Sequence, residues 1–230
     1  MTKRKIQYWV IPPEADAEFI ASMEEILDTY EEPYDVDHPV LCMDEQPVQL
    51  HKETRKPIAA TKHHARRVDY EYERAGTANV FLFVAPLENR RHVDATERRT
   101  AVDWAHQVRR LVDVHYPDAE RIRLVMDNLN THTVASLYAA FPPHEARRIA
   151  RKLDIHYTPK HGSWLNIAEI ELNALTRQCL RRRIPDLATM RRGVHAWQIS
   201  RNAAEVGVNW RFTTDDARIK LRTLYPKTEA

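Results

Sequence analysis

The sequence predicts an α/β or α+β fold with a mixed sheet, because strand-like segments come first and are then interspersed with helical ones. Short apolar runs at residues 39–43, 80–85 and 121–126 have the length and composition of buried strands. Residues 99–115 and 165–180 instead repeat apolar residues at helical spacing. The chain has only four glycines, which disfavours a glycine-rich phosphate loop and therefore a P-loop ATPase or a dinucleotide-binding dehydrogenase.

The first predicted element is an N-terminal helical arm, residues 1–38. Pro12, Pro13 and Glu14 are typical of a helix start, because proline fits the first turn and acidic residues suit the positive end of the helix dipole. Apolar residues then recur at helical spacing until the helix ends near Pro33.

The central part, residues 39–205, is predicted to contain the sheet. Alternation predicts a further strand at residues 70–74, which a turn at residues 76–79 would join to the strand at 80–85. A last, short strand is predicted at residues 155–157. Helices are predicted, in chain order, at residues 99–115, 134–140, 144–153, 165–180 and 187–204. A C-terminal tail, residues 206–230, carries a final helical stretch.

Composition fits an ordinary globular protein, with 43% hydrophobic and 30% charged residues. No apolar run approaches the roughly 20 residues that span a bilayer, and no apolar signal core follows the basic start, so a cytoplasmic location is expected. The net charge is only +2, but arginine pairs recur along the chain after an acidic start. Such clustering is expected of a surface that binds DNA phosphates, and equally of solvent-exposed helix faces. Cys42 and Cys179 are predicted to be reduced, buried thiols, since a zinc site needs more ligands at closer spacing.

Two aspartates are candidate metal ligands because each follows an apolar run directly. Asp44 lies in the segment VLCMDE and Asp127 in RLVMDN. Buried strands are rigid, and ligands of α/β sheets bind where strands end. Two such carboxylates from neighbouring strands could hold a divalent cation. The alternative, that each aspartate simply begins a turn, has about equal weight for the pair.

A third candidate acid lies in a predicted helix that follows a loop with proline and glycine. The apolar face of this helix consists of Leu165, Ala168, Leu172, Leu175 and Cys179. Glu169 and Glu171 flank that face on opposite sides, about 160° apart at 100° per residue. Only one of the two can point at the aspartates, and periodicity does not choose between them.

Three segments of the chain resemble the DDE-type transposases of bacterial insertion sequences related to the mariner superfamily. They are CMDEQP around Asp44, MDNLNTH around Asp127, and TPKHGSWLNIAEIEL around Glu169. The resemblance runs from about Ile6 to Tyr225. It implies an RNase H-like catalytic domain over residues 39–205, and its pattern of Leu-Asn, two residues and Glu selects Glu169 over Glu171.

The resemblance also implies a chemistry and its partners. Asp44, Asp127 and Glu169 would hold two Mg²⁺ ions, for which Mn²⁺ can substitute, and would support phosphodiester hydrolysis and DNA strand transfer. The DNA partners would be transposon ends and target, and a homodimer is expected by analogy alone. Replacing any of the three acids by its amide is expected to abolish cleavage. Glu171→Gln is expected to be tolerated.

Four further residues of the matched segments are candidates for supporting roles. Asn128 and His132 are predicted to orient the site or contact phosphate; the alternative for this segment is a turn with helix capping by Asn130 and Thr131. Lys160 and His161 precede the third acid's helix and are predicted to meet DNA phosphate. Two neighbours are assigned simpler roles: Glu45 is expected on the opposite strand face rather than as a ligand, and Trp164 in packing.

Proteins of this resemblance carry helix-turn-helix modules before the catalytic domain, and the sequence ahead of Asp44 has no room for one. A separate DNA-binding module is therefore an expected partner. Two alternatives stay open: an RNase H-like nuclease without strand transfer, and a non-catalytic DNA-binding remnant. The remnant would be marked by a lost carboxylate, and all three are present.

Overall fold

The computed structural model describes residues 16–226, so the helix start predicted at Pro12 to Glu14 lies outside the described residues. Its centre is a five-stranded sheet with the order β3-β2-β1-β4-β5. The strands are β1 (Val40–Glu53), β2 (Tyr72–Ala85), β3 (Arg90–Thr96), β4 (Ile122–Asp127) and β5 (Leu153–Thr158). The first three are antiparallel neighbours, and β1, β4 and β5 run parallel. The mixed sheet predicted from the sequence is thereby confirmed.

Seven helices cover the two faces of this sheet in the described part of the chain. They are α1 (Ala17–Glu31), α2 (Ala101–Arg110), α3 (Val134–Ala140), α4 (Pro143–Arg151), α5 (Ile167–Leu175), α6 (Leu187–Ala203) and α7 (Thr214–Lys220). One hydrophobic core lies between the sheet and α1, α5, α6 and α7, and the other between the sheet and α2, α3 and α4. None of these helices is long and apolar enough to cross a membrane.

The two cores divide the side chains of the central strands by the period of two that strands impose. Cys42 of β1 and Val125 of β4 belong to the core under α5. Met43 and Met126, one residue further on, belong to the core under α2. This alternation fixes the face on which each following acid stands.

Helix α1 and the C-terminal segment pack in the same core as α5. The Tyr30 hydroxyl donates a hydrogen bond of 2.8 Å to the Leu165 carbonyl, directly before α5. At the other end of α1, the Asp16 backbone N–H donates to the Leu224 carbonyl at 3.2 Å. The two ends of the described chain therefore lie side by side.

The structure differs from the predicted elements in four places. Strand β1 continues to Glu53, because it pairs with β2 beyond the predicted apolar run at residues 39–43, so Asp44 lies inside the strand rather than at its end. Strand β2 is continuous where a turn was predicted at residues 76–79, because it pairs with β1 on both sides of that position, from Tyr72 to Val84. Gly76, at φ +91°, lies in a register shift of that pairing. Strand β3 was not predicted, since its sequence RRHVDAT lacks an apolar run. Helix α5 begins at Ile167 rather than at residue 165, after a separate 3₁₀ turn (Ser163–Leu165). Cys42 is a buried free thiol as predicted, whereas Cys179 is only partly buried.

Candidate active site

The two predicted aspartates lie on the same face of the sheet, just beyond the point where β1 and β4 stop pairing. Asp127 ends β4, whereas Asp44 lies inside β1. Strands β1 and β4 pair in parallel up to Cys42 and Val125. Asp44 and Asp127 each lie two residues beyond that last pair, so alternation keeps them on the face that packs against α5. Both are partly buried. Adjacent parallel strands thus deliver two carboxylates to one location.

Glu169 lies in the first turn of α5 and is exposed. The negative charge of Glu169 contributes to the pKa of Asp44, which is raised to about 7. Burial is the main cause of that rise, and the negative charges of Asp127, Glu45 and Glu169 add to it. The hydrogen bond that the Glu45 N–H donates to Asp44 acts in the opposite direction and lowers the pKa. Asp44, Asp127 and Glu169 therefore share one electrostatic environment, with no neighbouring cation among the causes of the Asp44 shift.

Glu171, the acid that periodicity could not distinguish from Glu169, is turned into the protein. Its side chain is 1% exposed and accepts four hydrogen bonds of 2.7–3.1 Å, from Arg91 and Arg201. Burial would raise the pKa of Glu171, but the two guanidinium groups outweigh burial and hold it below its usual value. A carboxylate so occupied is not free for a metal. The expectation that Glu171→Gln is tolerated is therefore corrected, because the change would leave two arginines without a counter-charge.

His132 bridges two acids at the edge of the site. Its Nδ1 lies 2.8 Å from Asp127 Oδ1, and its Nε2 lies 3.0 Å from Glu45 Oε2. Burial opposes the charged ring, but the hydrogen bonds and charges of Asp127 and Glu45 prevail and raise the pKa of His132 to about 9. The Trp104 ring stacks on it at 5.9 Å between centroids. At neutral pH His132 is thus a fixed cation that orients Asp127.

Glu45 lies on the opposite face of β1 from Asp44, as predicted, and is buried against His132 and Arg99. Glu45, Asp127 and His132 offer ligand atoms that all lie within 4.8 Å of one another. Both ring nitrogens of His132 already face carboxylates, so this group has the chemistry of an ion-pair cluster rather than of a cation site. The sequence analysis predicted the face on which Glu45 lies, but it missed the contact of Glu45 with His132.

The other predicted residues lie around the rim of the site. Asn128 and Lys160 line a cleft of about 290 Å³ together with Tyr157, Thr158 and the start of α1. His161 is exposed, at φ +66°, in the turn before α5. The N-cap of α3 is Thr133, so the capping role considered for Asn130 and Thr131 is not found. Trp164 packs edge-on against Phe212, as its predicted structural role requires.

Asn166 is a further residue of the site that the sequence did not single out. Its side-chain amide donates to the Met43 carbonyl at 2.9 Å, and its side-chain oxygen accepts from the Ala168 N–H at 3.1 Å. It thereby joins the start of α5 to the residue before Asp44. The Leu-Asn pair of the third motif contained this residue, but only the structure gives its partner.

Comparison with known proteins identifies related chains. The family model described as DDE superfamily endonuclease matches residues 39–191. Three solved structures of the Mos1 mariner transposase are similar: a paired-end complex with Mn (14% identity, TM-score 0.55), a paired-end complex with the left transposon end (11%, 0.56) and a strand transfer complex (13%, 0.56). They cover 86%, 89% and 86% of this chain, which spans 60%, 62% and 59% of theirs.

The structural likeness confirms the fold, and at such low identity it carries no more than the fold. No curated protein gave a significant match. The matched family confirms the resemblance drawn from the three motifs, since residues 39–191 contain all three acids. A match over more than half of the 230 residues is decisive: the chain belongs to the DDE superfamily endonuclease family.

Proposed function

We propose that this chain is the catalytic domain of a DNA transposase, with Asp44, Asp127 and Glu169 as its metal ligands. The observation that carries the proposal is that Asp44 and Asp127 lie on one face of neighbouring strands, and that burial and the charges of Asp127 and Glu169 raise the pKa of Asp44. Such repulsion is relieved when a divalent cation binds between the carboxylates. Family membership supports the same reading, because the family is one of endonucleases.

The donor set fits Mg²⁺ or Mn²⁺, since all three side chains offer only hard oxygen ligands. Two such ions, when bound, supply activation of the attacking oxygen and stabilisation of the leaving oxygen in an in-line displacement at phosphorus. The attacking oxygen would be that of water in cleavage and a DNA 3′-hydroxyl in strand transfer. The family fold and the Mn in a Mos1 complex are consistent with this choice of metal.

The residues around the acids have separate tasks in this proposal. Asp44 would hold a metal in its ionised form, and its raised pKa of about 7 means that metal binding would compete with protonation of this carboxyl at neutral pH. His132 holds the Asp127 carboxylate in one orientation through its 2.8 Å hydrogen bond. Glu169, exposed on α5, approaches from the solvent side, where the scissile phosphate would lie.

DNA would enter along the rim formed by Asn128, Lys160 and His161. Lys160 and His161 are exposed in the turn before the 3₁₀ segment that leads into α5, and Asn128 lines the same cleft as Lys160. Amide and ammonium groups at such positions suit phosphate oxygens. Transposon ends and target are the proposed DNA partners, with a homodimer and a separate DNA-binding module as proposed protein partners.

The test is a cleavage and strand-transfer assay in Mg²⁺ and in Mn²⁺, on DNA carrying a terminal repeat. Asp44→Asn, Asp127→Asn and Glu169→Gln are each expected to abolish cleavage while the fold persists. Asp118→Asn is the matched control, because Asp118 is exposed and precedes β4 at the opposite end of the sheet. Full activity in any one of the three variants removes that residue from the site.

The products decide between the proposal and its alternatives. Cleavage followed by joining supports a transposase. Cleavage without joining assigns the chain to the nucleases, and DNA binding without either reaction identifies a non-catalytic protein. A crystal soaked in Mn²⁺ gives a further check, in which oxygens of Asp44 and Asp127 are expected to bind one ion at about 2.0–2.2 Å, an ordinary metal–oxygen distance.

A further inference from the structure

The pairing between β1 and β4 stops just short of the two aspartates. The ladder begins with a hydrogen bond of 3.0 Å from the Arg123 N–H to the Pro39 carbonyl, and its last pair is Cys42 with Val125. Parallel ladders repeat every two residues. The next bond in the series would therefore run from the Asp127 N–H to the Met43 carbonyl, but the pairing ends before it. We call this point, at Met43 and Asp127, the fork.

The side chain of Asn166 occupies the fork. Its amide nitrogen donates to the Met43 carbonyl at 2.9 Å, taking the place of the missing ladder bond. Its oxygen accepts from the Ala168 N–H at 3.1 Å and so caps α5. The side chain is almost fully buried, and both of its hydrogen-bonding ends are thus bonded to backbone.

Asn166 is connected to two acids of the site, Asp44 and Glu169, through residues close to them in the sequence. Met43 precedes Asp44 directly, and the Glu169 N–H donates to the Asn166 carbonyl at 3.1 Å, one helical turn on. The position of α5 relative to β1 is therefore set, at the site itself, by the hydrogen bond from Asn166 to Met43. An amide suits this role, because its nitrogen donates and its oxygen accepts from two separate atoms, whereas a serine hydroxyl offers both roles from a single, nearer atom.

We infer that Asn166 is a positioning residue that keeps β1 and β4 apart at the fork and sets the spacing of Glu169 from Asp44 and Asp127. The expected effect of Asn166 on metal binding rests on the proposed function. Its hydrogen bonds to Met43 and Ala168 do not. Asn166 touches none of the three carboxylates in the described hydrogen bonds, so it acts through Met43 and α5.

Asn166→Ser and Asn166→Gly test the inference, because serine and glycine both serve as N-caps and neither reaches the Met43 carbonyl. The matched control is Asn202→Ser. Asn202 also bonds the backbone of a strand through both ends of its amide, at 3.0 Å to the N–H and 3.0 Å to the carbonyl of Arg91. Thermal unfolding confirms that each variant is folded before it is assayed.

Mn²⁺ affinity, measured by calorimetric titration, is expected to fall about 10–100-fold in both Asn166 variants, as for other residues that orient metal ligands. In Asn202→Ser it is expected to stay at the wild-type value. In the cleavage assay, kcat is expected to fall in the Asn166 variants while KM for DNA is unchanged. Wild-type Mn²⁺ affinity in Asn166→Ser would overturn the inference.

A metal-free crystal structure of Asn166→Ser separates this inference from the proposed function. The start of α5 is expected to move away from Met43, and wild-type positions of both would overturn the inference. If the wild-type protein neither binds Mn²⁺ nor cleaves DNA, the proposed function fails by itself. The crystal structure of the variant then decides the role of Asn166.

Discussion

Replacing Glu171 by glutamine is expected to destabilise the protein by about 3–5 kcal/mol, the usual cost of removing one partner of a buried ion pair. Arg91 is 0% exposed, and Arg201 on α6 is 15% exposed. Both guanidinium groups bond the same carboxylate. Glutamine keeps one acceptor oxygen, so it can accept some of these hydrogen bonds. It cannot neutralise the positive charges of the two arginines.

The corresponding change in melting temperature follows from the size of the chain. A loss of 1 kcal/mol lowers Tm by roughly 2–4 °C in a domain of this length, so Glu171→Gln is expected to lower it by roughly 6–20 °C. Urea unfolding at neutral pH measures the free energy directly, and differential scanning calorimetry gives Tm.

Glu169→Gln provides the matched comparison, because it makes the same chemical change two residues earlier on α5, at an exposed position. Its free energy of unfolding is expected to stay within about 0.5 kcal/mol of the wild-type value. If Glu171→Gln also stays within that range, Glu171 does not neutralise the two arginines, and the structural argument that excludes Glu171 as a metal ligand is lost.

Without metal, Asp44→Asn is expected to raise Tm, and to raise it more at about pH 8 than at about pH 4. The folded pKa of Asp44, about 7, exceeds its usual 3.8, so ionisation increasingly destabilises the folded wild type between these values; equal gains at both pH values, measured with a chelator present, would contradict this. The pKa of His132, about 9 against the usual 6.5, gives stability that is complete below pH 6.5 and lost as pH rises through 9. His132→Gln is therefore expected to flatten the decline in Tm over that range, and a decline parallel to the wild type would refute the charged bridge. Tyr30→Phe is expected to cost about 1 kcal/mol in urea unfolding, because the Leu165 carbonyl loses its 2.8 Å hydrogen bond, and an unchanged value would show that water replaces the hydroxyl.

The aspartates of the site could be predicted from the sequence because their context is local. A buried strand is recognisable from its own apolar residues, and the acid that follows it must lie at the strand end. Asp127 meets this condition at the end of β4, whereas β1 continues to Glu53, so the prediction of a strand end at Asp44 was wrong. The two strands are nevertheless neighbours, because the first residues of β1 pair with β4.

The choice between Glu169 and Glu171 depended on residues far away in the sequence. Arg91, which binds Glu171, lies 80 positions earlier, in an edge strand whose charged sequence gave no strand signal. Asn166 likewise acquires its role from Met43, 123 positions away. Helical periodicity describes the faces of one helix alone, so it could not predict that Glu171 contacts Arg91 or that Asn166 contacts Met43.

The position of the start of α1 has a consequence for how this fold could be combined with other domains. Asp16 and Phe19, at the start of α1, line the same cleft as Asn128 and Lys160. Asp16 therefore lies at the rim of the candidate site and beside Leu224. A DNA-binding unit held near Asp16 would be kept at a raised local concentration at the candidate site, without any new contact to the sheet.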